Sequence, residues 1–113
     1  MVEACMEITC PVEMTISLIG GKYKVVILWH LMNGTLRYNE IHKKLSRATD
    51  KMLTQQLREL ERDGLITRTV YPVVPPKTEY TLTELGESLR PIFLKIHTWG
   101  SNYMEAQKEE NMA

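Results

Sequence analysis

The chain has two cysteines, Cys5 and Cys10, and Cys10 stands directly before Pro11. Proline is favoured at the first position of a helix, so Cys10 is predicted to flank a helix N-terminus. The unpaired N–H groups and the dipole there favour a thiolate, the form that attacks quinones, aldehydes and peroxides. Cys10 is therefore a candidate sensor, and Cys5 a candidate resolving thiol if the Cα atoms approach to about 6 Å. Two other interpretations stay open: a buried, inert Cys10 and an incidental Cys5.

The remaining reactive side chains do not form a catalytic or metal-binding pattern. His30, His42 and His97 lack metal-ligand spacing with each other and with the cysteines, so we predict no metal site. The glycine pair at 20–21 lacks the spacing of a phosphate-binding loop, and no nucleophile–base–acid set can be named. The sequence predicts a protein that is not an enzyme and binds no cofactor.

Residues 49–64 form the segment that best fits a macromolecular binding role. On a helix, Leu53, Leu57 and Leu60 share one side. Thr49 is a suitable N-cap, and Gly64 suits the C-terminal end. The opposite side carries groups that can hydrogen-bond base edges or contact phosphates. These predicted recognition residues are Lys51, Thr54, Gln55, Arg58 and Arg62.

Charge is distributed unevenly, although the formal net charge is zero. Residues 37–68 contain eight basic and five acidic residues, whereas both ends of the chain are acidic. A local positive excess suits DNA, although an ordinary solvated surface has the same composition. The predicted phosphate and wing contacts are Arg37, Lys43, Lys44, Arg47, Arg68 and Lys77.

The elements that would position these residues can be read along the chain. Helices are predicted from Pro11 to about residue 19, over 22–32 and over 37–45, before the 49–64 helix. Residues 46–48 form a short turn, which makes the last two helices a helix-turn-helix. The β-branched runs 65–71 and 77–82, separated by a proline-rich loop, predict a hairpin that would form a wing.

Thr83 is predicted to cap a final helical region, which Pro91 should kink or restart. Apolar residues recur there at spacings of three and four. A domain this small has little core to spare, so part of this stripe is predicted to form a two-fold interface with the N-terminal helix. The predicted interface residues are Ile92, Phe93, Ile96, Trp99 and Tyr103.

A length of 113 residues suits one domain. We predict a flexible N-terminal arm over 1–9, a single domain over 10–107 and a flexible tail over 108–113. The acidic N-terminus differs from a signal peptide, no apolar run approaches the ~20 residues that span a bilayer, and two cysteines are too few for a secreted disulfide scaffold. A cytoplasmic location is expected.

Many of these segments resemble the HxlR-type winged helix-turn-helix transcriptional regulators of bacteria. The similar segments run in the family's order over about residues 10–103. They are CPVE at 10–13, LIGGK at 18–22, RYNEI at 37–41, KMLTQQLREL at 51–60, DGL at 63–65, YP at 71–72, VPPK at 74–77, EY at 79–80, LTELG at 82–86 and WG at 99–100.

The resemblance implies a mainly α, α+β winged helix-turn-helix fold with additional terminal helices that form a dimer. It also implies a sequence-specific regulator of double-stranded DNA, here expected to be a repressor bound to an inverted-repeat operator. Several family members sense electrophiles or oxidants through the cysteine that matches Cys10. The alternatives are a winged-helix module that binds proteins and a small redox enzyme, although no CxxC motif supports the latter.

Overall fold

The structure, a computed structural model, describes residues 8–112. Its helices and strands follow in the order α1 (Pro11–Ile19), α2 (Lys24–Leu31), β1 (Leu36–Arg37), α3 (Tyr38–Lys44), α4 (Asp50–Arg62), β2 (Ile66–Tyr71), β3 (Lys77–Leu82), α5 (Glu84–Glu87) and α6 (Arg90–Met112). The three strands form an antiparallel sheet in the order β1-β3-β2. This architecture confirms the predicted mainly α, α+β winged helix-turn-helix fold.

The helix-turn-helix consists of α3, a short turn and α4. The Thr49 hydroxyl accepts a hydrogen bond from the Met52 N–H at 3.1 Å, which caps the first turn of α4 as predicted. Gly64 has a φ of +80°, a conformation in which a side chain would be strained, and it directs the chain from α4 into β2.

A single hydrophobic core lies behind the helix-turn-helix and holds α4 in place. The inner face of α4 contributes three leucines to this core, and α2 contributes three of the large side chains that are fully buried in it. The core residues include Ile27, Leu28, Leu31, Ile41, Leu53, Leu57, Leu60, Ile66 and Phe93, each at most 2% exposed. Burial of a side chain of this size stabilises the fold by about 1.5–3 kcal/mol, so the core fixes the outward direction of the opposite face of α4.

The wing is the β2–β3 hairpin, whose register pairs Ile66 with Leu82 and Tyr71 with Lys77. The sequence prediction missed β1, which adds a third strand by pairing Leu36 with Tyr80. Two residues are too short for a periodic pattern, and the partner strand lies more than forty residues away. The predicted third helix is correspondingly one residue shorter at each end, Tyr38–Lys44.

The terminal region contains a short helix and a long one. The Thr83 hydroxyl accepts a hydrogen bond from the Gly86 N–H at 3.0 Å and caps α5, as predicted. Pro91 lies in the first turn of α6, so a new helix begins at this point, which is one of the two predicted outcomes. The helix continues to Met112 and so includes residues 108–112 of the segment that was predicted to be a flexible tail.

Residues 8–10 precede α1 without regular structure, and Cys5 with most of the predicted arm lies outside the described residues. Within 8–112, no helix combines the length and apolar character needed to cross a membrane.

Candidate nucleic-acid interface

The outward face of α4 is polar and accessible. Lys51, Gln55 and Arg58 are exposed, and Thr54 is half-buried between them and the core. These four residues and Asp50 line a cleft of about 450 Å³. The cleft presents ammonium, guanidinium and amide groups on one side of a rigid helix, and such groups are complementary to base edges and phosphates.

A second cleft, of about 510 Å³, separates α4 from the wing. Its basic residues are partly neutralised within the protein. Arg62 forms two hydrogen bonds with the Asp63 carboxylate, both at 3.1 Å, and the Arg68 Nε lies 3.7 Å from the Glu61 Oε1. Arg62 and Arg68 therefore already have carboxylate partners within the protein.

A third cleft, of about 540 Å³, lies between the start of α3 and the loop of the wing. Arg37 and Lys77 line it. The Lys77 Nζ lies 3.2 Å from the Glu79 Oε2 and 4.9 Å from the centre of the Tyr71 ring. The hydrogen bond from Lys77 lowers the pKa of the Glu79 carboxyl. The wing lysine is thus already held at the edge of the cleft by a carboxylate and an aromatic face.

The other predicted phosphate contacts lie on α3 and in the turn. Lys43, Lys44 and Arg47 are all exposed. Burial lowers the pKa of His30, and the positive charge of Lys44 acts in the same direction. These three basic side chains are thus accessible on the helix-turn-helix.

Polar contacts that the sequence prediction missed join α3 to the start of α4. The Tyr38 hydroxyl donates to the Asp50 Oδ1 at 2.7 Å. The His42 Nε2 lies 3.1 Å from the carbonyl oxygen of Ala48, and its Nδ1 lies 3.6 Å from the Asp50 Oδ1. Burial is the main cause of the raised pKa of Tyr38, which therefore remains a donor at neutral pH. These contacts bridge the turn and restrain the N-terminus of α4.

Two further contacts attach the rear of α4 to the residues around the start of α2. Lys24 is only 4% exposed, and its Nζ lies 2.6 Å from the Glu59 Oε1. The Gln56 Oε1 accepts a hydrogen bond from the Tyr23 N–H at 3.1 Å. The sequence signal for the ion pair is a lysine at the head of an otherwise apolar helix, because a buried ammonium requires a counter-charge.

Cys10 is the N-cap residue of α1, in an extended conformation with φ −87° and ψ 122°. Its thiol is exposed and makes no capping hydrogen bond. Only the backbone participates: the Cys10 carbonyl oxygen accepts from the Met14 N–H at 3.0 Å. The exposure disagrees with the interpretation of Cys10 as a buried, inert residue.

Apolar side chains remain exposed along α1 and α6. Phe93, a predicted interface residue, is an exception: it is 1% exposed because it packs into the core of its own chain. Trp99 and Tyr103 stack with their ring centres 5.4 Å apart. The exposed apolar residues of these two helices that are here together called the terminal apolar face are Val12, Ile16, Ile92, Ile96, Trp99 and Tyr103.

Within the described part of the chain, no group of three or more histidine, cysteine, aspartate or glutamate residues could hold a metal ion.

The helix-turn-helix, the wing and the basic clefts beside them define the class of winged helix-turn-helix DNA-binding proteins. The HxlR-like helix-turn-helix family model matches residues 18–108. The chain belongs to this family.

Known relatives agree with this assignment. The chain is 53% identical over 96 residues to the HTH-type transcriptional regulator YdeP of Bacillus subtilis (strain 168), covering 85% of this chain and 75% of YdeP. The oxidized form of the redox regulator HypR superposes with a TM-score of 0.79 at 49% identity, covering 82% of this chain and 96% of that one.

The reduced form of the transcriptional regulator YodB from B. subtilis superposes with a TM-score of 0.72 at 35% identity, over 88% of this chain and 98% of YodB. The family and these relatives are transcriptional regulators rather than enzymes. The predicted function, a DNA-binding transcriptional regulator, is thereby confirmed.

Proposed function

We propose that the chain is a homodimeric repressor that binds an inverted-repeat operator and acts in the cytoplasm. The observation that carries the proposal is the polar outward face of α4, which is exposed, flanked by the wing and fixed from behind by the core. In docked helix-turn-helix proteins such a helix enters the major groove. Gln55, Thr54, Arg58 and Lys51 would then contact bases, and Arg62 the phosphates.

The remaining basic residues are proposed to contact the DNA backbone. Four of them lie in or beside the helix-turn-helix: Arg37, Lys43, Lys44 and Arg47. The other two, Arg68 and Lys77, lie on the wing. Each phosphate contact releases counterions, so binding should weaken as salt increases, with a slope that changes by about 0.9 per lost contact. These contacts would orient the protein without contributing sequence preference.

Dimerisation is proposed to occur through the terminal apolar face. Trp99 is 70% and Tyr103 54% exposed in the single chain, and both lie on the 23-residue helix α6. Exposed aromatic residues of this size are typical of interface hot spots. A two-fold dimer would place two α4 helices about 34 Å apart, one helical turn of DNA.

The proposed regulatory site is Cys10. HypR is named as a redox regulator, and its oxidized form resembles this chain in fold. An exposed thiol at the N-terminus of α1 is accessible to quinones, aldehydes and peroxides. Because α1 also carries Val12 and Ile16 of the terminal apolar face, modification of Cys10 would alter a helix of the proposed interface.

A gel-shift series with DNA from upstream of the chain's own coding sequence tests these proposals. The wild-type protein should bind this duplex in a salt-sensitive manner and lose affinity after treatment with diamide or a quinone. The Cys10→Ser variant should bind the duplex equally well, and the treatment should leave its affinity unchanged. Equal responses of the two proteins would exclude Cys10 as the sensor, and the absence of salt-sensitive binding would favour a protein-binding module.

A further inference from the structure

Lys24 is the only buried charged residue among those that the structure describes. It lies at the start of α2 and points into the space behind α4, where its ammonium meets the Glu59 Oε1 at 2.6 Å. An isolated ammonium in such a position is strongly disfavoured, so its pairing with Glu59 is required by the burial itself. The position of one carboxylate oxygen of Glu59 is thereby fixed from the protein interior.

The second oxygen of Glu59 points toward the DNA-binding side of the helix. The Glu59 Oε2 accepts a hydrogen bond from the Gln55 Nε2 at 3.2 Å, one helical turn earlier. The hydrogen bond from Lys24 lowers the pKa of the Glu59 carboxyl, and the bond from Gln55 acts in the same direction. Glu59 is therefore ionised at neutral pH and can only accept hydrogen bonds.

An ionised carboxylate imposes one orientation on the neighbouring amide. If the Gln55 side chain were flipped, its carbonyl oxygen would face the carboxylate oxygen, and two acceptors would repel each other. With the nitrogen directed to Glu59, Gln55 retains its oxygen and one N–H for a ligand. These are the acceptor and donor that complement the amino group and N7 of adenine.

We propose that Lys24 and Glu59 are positioning residues that fix the side-chain amide of Gln55 for adenine readout. The inference rests on the proposed function, in which Gln55 contacts a base. According to this inference, Lys24, a buried residue of α2, affects which base pair α4 prefers. An ion pair that only stabilised the packing of α2 against α4 would leave that preference unchanged.

The test compares the full-length wild type with Gln55→Ala and with the double variant Lys24→Met/Glu59→Gln, which removes both charges together. Glu61→Gln is the matched control for base preference, because it removes one carboxylate from the same helix and the partner of Glu61 is Arg68 rather than Gln55. Since release of Arg68 can change the overall affinity, only base preferences are compared with this control. Each protein selects duplexes from a randomised library. Its affinity is then measured for the four base pairs at the position where Gln55→Ala loses its preference.

The wild type and Glu61→Gln should prefer adenine at that position. The double variant should lose about tenfold of the preference, equivalent to about 1.4 kcal/mol, while its affinity for duplexes with other bases there stays within a few-fold. The side-chain amide NMR signals of Gln55 in the free protein should move in the double variant and not in Glu61→Gln. A folded double variant with undiminished adenine preference would overturn the inference.

Failure of the underlying function gives a different result. If Gln55→Ala selects the same duplexes as the wild type, Gln55 contacts no base, and both its role in recognition and the positioning role are wrong. Should the double variant not fold, Glu59→Asp makes the same comparison, because it keeps a carboxylate for Lys24 and shortens the reach to Gln55. Unchanged preference in Glu59→Asp would then overturn the inference.

Discussion

Arg58 borders both clefts beside α4 and is exposed. Within the described part of the chain its guanidinium forms no hydrogen bond or ion pair, in contrast to the guanidinium groups of Arg62 and Arg68, which already face carboxylates. A contact with DNA would cost Arg58 no internal partner. Of the three arginines around the second cleft, Arg58 is therefore the best prepared for direct base contact.

Replacement of Arg58 by alanine should cost about 1–3 kcal/mol in specific binding, the usual range for a good base contact. Titration of the selected operator by fluorescence anisotropy measures this loss. Lys108→Ala, an exposed charge change on α6, is the control and should bind as the wild type does. If Arg58→Ala retains full affinity, base readout must depend on other residues.

Glu59 predicts a specific pH dependence of stability. Its folded-state pKa lies below the ordinary value of 4.5, chiefly because of the hydrogen bond from Lys24. The folded protein therefore binds the proton less readily than the unfolded chain. The contribution of Glu59 is fully present above pH 4.5 and is lost as the pH falls through the lowered folded-state pKa.

Glu59→Gln should accordingly lose less stability on acidification than the wild type does. At pH 7 it should be less stable by about 1–3 kcal/mol, because Lys24 then lacks its counter-charge; the value lies below that of a fully buried pair, since the Glu59 side chain is 27% exposed. Urea unfolding at a series of pH values measures both effects. The same acid dependence in Glu59→Gln and wild type would contradict this assignment.

Helix α5 packs closely against the chain that enters β2. A Cβ added at Gly86 would overlap the backbone carbonyl oxygen of Leu65, which cannot move without disturbing the entry to β2. Gly100 in α6 offers a matched comparison, because a Cβ there would meet nothing within 4 Å. Alanine at position 86 therefore tests the steric effect of an added side chain, and alanine at position 100 tests the effect of helix propensity.

Gly86→Ala should destabilise the fold by about 1–3 kcal/mol through overpacking. Gly100→Ala should stabilise it by up to about 1 kcal/mol, since alanine is the better helix former. Urea unfolding at one fixed protein concentration compares both variants with the wild type. Equal stabilities would mean that the contact between α5 and the chain before β2 relaxes at no cost.

The sequence contained enough information for α1, α4, the wing and the capped start of α5, because each has a local signal: Pro11, the spaced leucines, the β-branched runs and Thr83. It contained none for β1, whose two residues depend on a strand far along the chain. The face of α4 could also be predicted. The lysine at the head of α2 indicates that a counter-charge is needed, but Glu59 could not be predicted as its partner, because the two residues are brought together only by tertiary packing.

The whole molecule has an unequal distribution of apolar surface. Its core encloses Phe93, but the terminal apolar face stays exposed on α1 and α6, with Trp99 at 70% exposure. Large exposed apolar patches on a small protein typically mark an interface. The two ends of the chain thus supply the proposed dimer contact, and the middle supplies the proposed DNA-binding surface.

Trp99→Ala should weaken dimerisation by about 30-fold or more, because a buried interface tryptophan typically contributes at least 2 kcal/mol. Sedimentation velocity over a range of concentrations measures the association. Val74→Ala, at a 99% exposed position on the wing, is the control and should associate like the wild type. A wild-type protein that is monomeric at micromolar concentration would exclude the proposed dimer.

The two adjacent glutamines of α4 impose opposite limits on how its sequence can vary. Gln55 is exposed, whereas the Gln56 amide occupies the space that a side chain at position 21 would need and binds the Tyr23 N–H. If Gln55 contacts a base as proposed, exchange of residue 55 should change the preferred operator without any change in the protein interior. If a recognition helix from another regulator replaces α4, its residue at position 56 must instead fit against Gly21.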